Sequence, residues 1–189
     1  MTPNHRPSRR PALLAAVLAL ALALSGGASR ALAADAPLDL TLPDMTGKKV
    51  ALKDLLAHGP VLVNFWATWC GPCVKELPHL QAIHQEFAPQ GLTVVAISED
   101  NSRSVSKVRT FIEGNRYGFT VLLDTNGEAK RRFKSLGTPY TVLFDRDGKK
   151  AYSHIGYKPG DEKDLHRQVA ALMTSGAAEA KPADEAAGK

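Results

Sequence analysis

The sequence predicts an α/β protein in which helices flank both faces of a central, mixed β-sheet. Three observations lead to this prediction. Two nearly continuous apolar runs, at 60–66 and 92–97, are typical of strands buried on both faces. Segments with helical spacing of apolar residues alternate with the strands, and the chain closes with a hairpin and an amphipathic helix.

The N-terminal half of this domain is expected to contain a hairpin and two strand–helix units. Apolar and polar side chains alternate over 35–52 around a Gly-containing turn, which predicts an N-terminal β-hairpin. The strand at 60–66 leads into a helix over 73–87, because the apolar side chains of that segment fall on one side. The strand at 92–97 leads in the same way into a helix over 102–117.

The C-terminal half is expected to complete the sheet and cover it. An Asn-Gly turn precedes a short helix, and the sequence Asp145-Arg-Asp-Gly148 is typical of a hairpin turn. The expected elements are a strand at 119–124, a short helix ending at 133, a strand at 141–144, its hairpin partner at 151–157 and a helix at 161–173.

The two ends of the chain differ in character from this domain. Residues 1–33 have the order of a secretory signal: a basic start, the apolar run 12–24 and the small-residue triplet that ends at Ala33, after which we expect cleavage. That apolar run spans about 20 Å as a helix, less than the roughly 30 Å of a membrane core, although an uncleaved signal would anchor the protein. Residues 34–174 form the predicted domain, and 175–189 are expected to be a disordered tail without apolar periodicity.

The net charge of +5 comes mainly from the N-terminal segment. Four arginines and no acidic residue lie within residues 1–33, which leaves 20 basic against 19 acidic residues in the rest of the chain. We therefore expect no nucleic-acid partner. Export would deliver the domain to a bacterial periplasm, an oxidising compartment in which paired cysteines form bridges or perform redox chemistry.

Cys70 and Cys73 are the two cysteines of the chain, and they lie where a buried strand ends and a helix begins. The unpaired N–H groups and positive dipole end of a helix N-terminus favour the thiolate, which is the nucleophile. We expect an exposed Cys70 to attack a partner disulfide and Cys73, one turn into the helix, to resolve the mixed disulfide. No metal or other cofactor is expected, since a zinc site needs two more ligands and the histidines show no paired ligand spacing.

The segment Trp69-Cys-Gly-Pro-Cys73 is the active-site pentapeptide of thioredoxins. The longer segment 63–73, followed by Glu76-Leu-Pro78, resembles the TlpA/ResA group of membrane-associated or periplasmic thioredoxin-like proteins. The resemblance covers about residues 36–173 and implies a thioredoxin-like fold with an N-terminal β-hairpin and a helix inserted after the second βα unit. It also implies a membrane thiol transporter as electron donor, and acceptors such as apocytochrome c.

The same resemblance implies a substrate-binding loop next to the disulfide. Gly137-Thr138-Pro139 matches the cis-proline loop of the family, so Thr138 is expected to contact substrate through its main chain while Pro139 packs against Cys70. Trp69 directly precedes the nucleophile and is expected to form an apolar wall of the site. Tyr140 stands where the family often has Thr, which is a departure from the pattern.

Proton transfer must differ from that of thioredoxin. Asn64 occupies the position of the buried thioredoxin Asp and cannot take up a proton. Glu99 or Asp100, directly after the second buried strand, is therefore expected to assist. Gly71 and Pro72, between the cysteines, are expected to support the site without reacting.

The leading functional prediction is a monomeric, periplasmic protein disulfide reductase that acts on protein thiols and disulfides in cytochrome c maturation or related thiol maintenance. The Gly-Pro dipeptide favours reduction, since thioredoxin-type sites lie near about −270 mV and strongly oxidising periplasmic sites near about −120 mV. A Cu(I)-binding module that uses both thiolates is one alternative. A thiol peroxidase is a weaker one, because Ala67 and Val63 stand where peroxiredoxins have Thr or Ser and Pro.

Overall fold

The structure, a computed structural model, describes residues 37–179, with side chains through Ser175. The signal peptide predicted at 1–33 lies outside the described residues, and so do the last ten residues of the predicted disordered tail. For these residues both predictions remain predictions. Between residues 37 and 179, every helix is too short or too polar to cross a membrane.

Within this range the chain alternates strands and helices, with three short 3₁₀ helices at Leu52–His58, Ala88–Gln90 and Ser102–Ser104. The strands are β1 (Thr41–Pro43), β2 (Lys49–Ala51), β3 (Val61–Trp66), β4 (Thr93–Ser98), β5 (Thr120–Leu123), β6 (Tyr140–Phe144) and β7 (Lys150–Ile155). The α-helices are α1 (Gly71–Phe87), α2 (Val105–Gly114), α3 (Glu128–Arg132) and α4 (Asp161–Glu179).

Five strands form the central sheet, in the order β5-β4-β3-β6-β7. β3, β4 and β5 run parallel, whereas β6 and β7 are antiparallel to their neighbours. β1 and β2 pair as a separate antiparallel hairpin. The predicted mixed sheet and N-terminal hairpin are therefore confirmed, and α2 is the inserted helix.

Side chains of β3 fill the core on both faces of the sheet, as its uninterrupted apolar sequence predicts. Val61, Val63 and Phe65 belong to the apolar cluster on the face that α3 and the hairpin cover. Leu62 and Trp66 belong to the cluster on the opposite face, which α1, α2 and α4 cover. The central strand is thus held by packing from two sides.

The structure departs from the predicted elements at several points. The 3₁₀ helix at Leu52–His58 follows the hairpin directly and was not predicted. The inserted helix ends at Gly114 rather than at 117. The terminal helix continues to Glu179, so residues 175–179 are helical rather than part of a disordered tail. The apolar pattern ends at Met173, and the predicted helix therefore ended there. The helix continues because Ala and Glu favour helix even without an apolar stripe.

The topology brings two loops together at one edge of the sheet. β3 and β6 are antiparallel neighbours, with Phe65 paired to Tyr140. The carboxyl end of β3 therefore lies beside the amino end of β6. The cysteine segment leaves the first of these ends and the Thr138–Pro139 segment enters the second, so both are held at the same place.

Candidate active site

The two cysteines form a disulfide at the start of α1. Their Cα atoms lie 5.3 Å apart and their sulfur atoms 2.05 Å apart. Cys70 is the N-cap residue, with extended backbone angles, and its Sγ accepts a hydrogen bond from the backbone N–H of Cys73 at 3.3 Å. A helix N-terminus thus directs a donor at the sulfur of Cys70, which favours a thiolate there.

The accessibility of Cys70 differs from the prediction. Cys70 is 6% exposed and Cys73 1% exposed, so the prediction that Cys70 is an exposed cysteine was wrong, although it is the more accessible of the two. The cover comes from the loop before β6, since the carbonyl oxygen of Thr138 lies 3.7 Å from Sγ of Cys70. A partner that reaches this sulfur therefore meets the Thr138 loop beside it.

Gly71 and Pro72 lie between the cysteines, in the first turn of α1. Pro72 lies in the first turn of α1, where its missing N–H costs no hydrogen bond. Gly71 has no steric reason to be glycine, because a Cβ atom there would meet no other atom within 4 Å. Both residues are exposed beside the disulfide.

The loop opposite the cysteines is held by a buried carboxylate. The Thr138–Pro139 peptide bond is cis, as the resemblance implied. Oε2 of Glu99 accepts hydrogen bonds from the Thr138 hydroxyl at 2.9 Å and from Nζ of Lys130 at 2.8 Å. Glu99 is therefore placed to position Thr138.

Asp100 fixes the other side of the site. Its carboxylate accepts hydrogen bonds from the backbone N–H of Thr68 at 2.9 Å, from the Thr68 hydroxyl at 2.6 Å and from the Ser98 hydroxyl at 3.0 Å. These contacts tie the end of β4 to the loop that leads into Cys70. The buried Asp100 carboxylate thus serves as a structural anchor of that loop.

Trp69 projects from the loop next to the nucleophile. Its side chain is 68% exposed, which is unusual for a large apolar group. Leu136 and Ile155, also exposed, lie on the segments that border the Thr138 loop. The site is therefore bordered by apolar side chains that suit contact with another polypeptide.

Behind the disulfide lies a buried polar cluster. Nδ2 of Asn64 donates to Oε2 of Glu76 and to Oγ1 of Thr141, both at 2.9 Å, and the Thr141 hydroxyl donates to Oε1 of Glu76 at 3.1 Å. Burial raises the pKa of Glu76 to about 7, although these hydrogen bonds and the nearby His154 oppose the rise. Glu76 follows Cys73 by one helical turn and is 4% exposed, so both side chains point into the same interior.

No role in the site was predicted for Glu76. A signal was present, because Glu76 lies in phase with the buried residues Cys73, Leu77, Leu80 and Ile83 of α1. An acidic residue at such a position must either find partners or become neutral. Glu76 has partners that the chain supplies from β3 and β6.

Among the side chains that the structure describes, no group of three or more His, Cys, Asp or Glu residues is arranged to hold a metal ion.

The disulfide at a helix N-terminus, the adjoining Thr138 loop and the thioredoxin-like sheet together define a thiol–disulfide oxidoreductase.

Comparison with known proteins gives the family. Residues 33–153 match the AhpC/TSA family, and the chain belongs to it. It is 34% identical over 125 residues to thiol-disulfide oxidoreductase ResA of Bacillus subtilis, covering 66% of this chain and 68% of that protein. The alignments with the ResA proteins of two other Bacillus species likewise span about two thirds of each relative, 66% in both cases.

Solved structures agree with this assignment. A Chlorobium tepidum protein assigned as thiol:disulfide interchange protein DsbE is 32% identical, with a TM-score of 0.67 over 74% of this chain and 96% of that one. Peroxidoxin BcpB of Mycobacterium tuberculosis is 28% identical, with a TM-score of 0.60 over 70% of this chain and 92% of that one. The ResA/TlpA-like assignment from the active-site segment is thereby confirmed.

Proposed function

We propose that this protein reduces disulfide bonds in other proteins after export to the periplasm. The observation that carries the proposal is the position of Cys70 at the N-terminus of α1, where its sulfur accepts a backbone hydrogen bond and remains more accessible than that of Cys73. This asymmetry suits an attacking thiolate followed by a resolving thiol.

The first exchange takes place at Cys70. Its thiolate attacks one sulfur of the substrate disulfide, a bond forms between the two sulfurs, and the substrate disulfide breaks. The electron pair leaves on the second substrate sulfur, which takes a proton from solvent. Thr138 and Trp69 border this sulfur and are the proposed substrate contacts, with Pro139 holding the Thr138 loop in place.

The second exchange releases the substrate. Cys73 loses its proton to the carboxylate of Glu76, and the Cys73 thiolate attacks the sulfur of Cys70. The Cys70–Cys73 disulfide forms, and the pair of electrons leaves on the substrate sulfur, which is then protonated. Glu76 is proposed as the proton acceptor rather than Glu99 or Asp100, because it lies one helical turn after Cys73 on the same buried side of α1. Glu99 instead holds Thr138, and Asp100 holds Thr68.

The proposed direction of electron flow requires an electron donor and an electron acceptor. A protein that ends each cycle as a disulfide needs an electron donor, and a membrane thiol transporter supplies electrons of this kind to an exported domain. The proposed acceptors are protein disulfides such as those of apocytochrome c, and the protein is proposed to act as a monomer. The signal-like order of residues 1–33 supports export.

The deciding measurement is the midpoint potential of the Cys70–Cys73 couple in glutathione or dithiothreitol buffers. We expect a midpoint well below about −200 mV, and a value near about −120 mV would overturn the proposal by placing the protein among oxidants. Insulin reduction in the presence of dithiothreitol provides the activity, and the C70S variant provides the blank.

A thiol peroxidase is the second candidate, because peroxidoxin BcpB shares the fold at 28% identity. Ala67 and Val63 replace the Thr or Ser and the Pro expected before a peroxidase nucleophile, and both are buried core residues of this chain. Hydrogen peroxide consumption measured beside insulin reduction separates the two activities. Peroxide turnover that exceeds insulin reduction would reverse the order of the candidates.

A further inference from the structure

A row of polar side chains crosses the sheet behind the disulfide. Asn64 of β3 pairs with Thr141 of β6, and Thr141 pairs in turn with His154 of β7. Directly paired residues project from the same face of a sheet, so these three side chains lie side by side. Glu76 of α1 covers the row and binds its first two members.

The row ends at the surface, where His154 meets α4. Its Nε2 lies 3.3 Å from Oδ2 of Asp161, and both side chains are partly exposed. A cavity of about 10 Å³ between them is lined by Glu76, Thr141, His154 and Asp161. That volume is about what a single water molecule needs, and the lining supplies polar partners for it.

We propose that His154, oriented by Asp161, carries protons between Glu76 and solvent. This inference rests on the proposed role of Glu76 as acceptor of the Cys73 proton. Before the resolving step, a protonated Glu76 gives its proton across the cavity to the imidazole of His154, so that its carboxylate can take the Cys73 proton. Glu76 returns to the carboxylate, and the imidazolium passes the proton to water or buffer, with no change in oxidation state.

The resolving step requires such an exit. Glu76 must be a carboxylate to take the Cys73 proton, and both Cys73 and Glu76 are buried, at 1% and 4% exposure. Histidine exchanges protons near neutral pH and suits transfer to and from a carboxyl group that titrates in the same range. Burial raises the pKa of Glu76 to about 7, so this carboxyl group can give up and take back a proton near neutral pH.

Other titratable groups face the same cavity and must be distinguished from His154. They are His79 on α1, Tyr152 on β7, and Asp161 and Glu162 on α4. The Tyr152 hydroxyl donates to Asp164, and its pKa is raised to about 12 by burial and by that contact, so it stays protonated. His79 packs its ring against Tyr157 and is the rival carrier.

The test measures single-turnover reduction of insulin by the fully reduced protein, from acid to alkaline pH, in dilute buffer without imidazole. We expect H154A to lower the rate about tenfold, less than the ~10²-fold loss typical of removing a direct acid–base group. Added imidazole should restore the H154A rate in proportion to its concentration, which a structural defect would not allow. H154Q, which keeps a side chain of similar polarity, should be equally slow.

Controls separate this inference from the proposed function. H79A should keep the wild-type rate, and a matching loss in H79A would overturn the assignment to His154. Wild-type rates and pH profile in H154A and H154Q, or the absence of imidazole rescue in H154A, would also overturn it. A slow E76Q variant beside a normal H154A variant rejects only the relay, whereas a normal E76Q variant rejects the role proposed for Glu76.

Discussion

Replacing Glu76 by Gln tests the buried carboxyl group behind the disulfide. Its two oxygens accept hydrogen bonds from Asn64 and Thr141. Gln has nearly the same shape but cannot ionise, so it imitates the protonated acid. The Thr141 hydroxyl can turn to accept a hydrogen bond from the new amide, so we expect little loss of stability at acid pH.

The size of the effect follows from the pKa of Glu76. Burial raises this pKa from 4.5 to about 7, so the folded state binds the proton more tightly than the unfolded chain. The resulting contribution to the free energy of unfolding is complete below about pH 4.5, declines as pH rises, and is lost above about pH 7. A pKa rise of this size corresponds to about 3 kcal/mol.

The assay is urea unfolding of the wild type and E76Q at a series of pH values across this window. Because E76Q lacks the ionisable group, its stability relative to the wild type should increase by about 3 kcal/mol between acid and neutral pH. The matched control is E113Q, which removes an exposed carboxyl group from α2. Its stability difference from the wild type should remain nearly constant.

The slope with pH decides the outcome, not the absolute stability of E76Q. A constant difference between E76Q and the wild type would contradict this prediction, because it would mean that Glu76 ionises as readily in the folded protein as in the unfolded chain. A difference that changes in the opposite direction would show that the hydrogen bonds to the carboxylate outweigh its burial.

The remaining predictions concern the sulfurs, the Thr138 loop and the core. C70S should abolish insulin reduction with an unchanged circular dichroism spectrum, whereas C73S should accumulate a mixed disulfide with substrate, visible by non-reducing electrophoresis. K130M should raise KM for insulin more than it lowers kcat, because Glu99 loses the partner that holds it against Thr138. L77A should lower the free energy of unfolding by about 2–5 kcal/mol in urea, since Leu77 is fully buried.

The predictions for the Thr138 loop and for the core have matched controls. K134M removes an exposed lysine near the same loop and should leave KM unchanged. If K130M has the same KM as the wild type, Glu99 does not position the substrate through Thr138. L136A truncates a side chain that is 90% exposed and should change stability by at most about 0.5 kcal/mol. Failure of C73S to trap any substrate would contradict its resolving role.

The sequence was sufficient for the sheet and for the position of the cysteines, because both depend on local patterns. The apolar run of β3 has all six residues buried, as such a run predicts. The spacing of Cys70 and Cys73 at a strand–helix junction likewise predicts a helix cap. These features need no knowledge of which distant segments pack nearby.

Two features of the site could not be read from local patterns. The cover over Cys70 comes from Thr138, 68 residues further along the chain. The partners of Glu76 are Asn64, on a preceding strand, and Thr141, 65 residues later. Periodicity shows that a side chain points inward, but the groups that meet it there depend on the order of strands in the sheet.

That order of strands also sets how the site responds to heat. The segments that carry Cys70 and Thr138 are attached to β3 and β6, inside the sheet, whereas β5 and β7 form its margins. Local opening begins at margins and chain ends, and the innermost strands separate only with global melting. Electron exchange should therefore persist through early fraying, and its loss on warming should coincide with the main calorimetric transition.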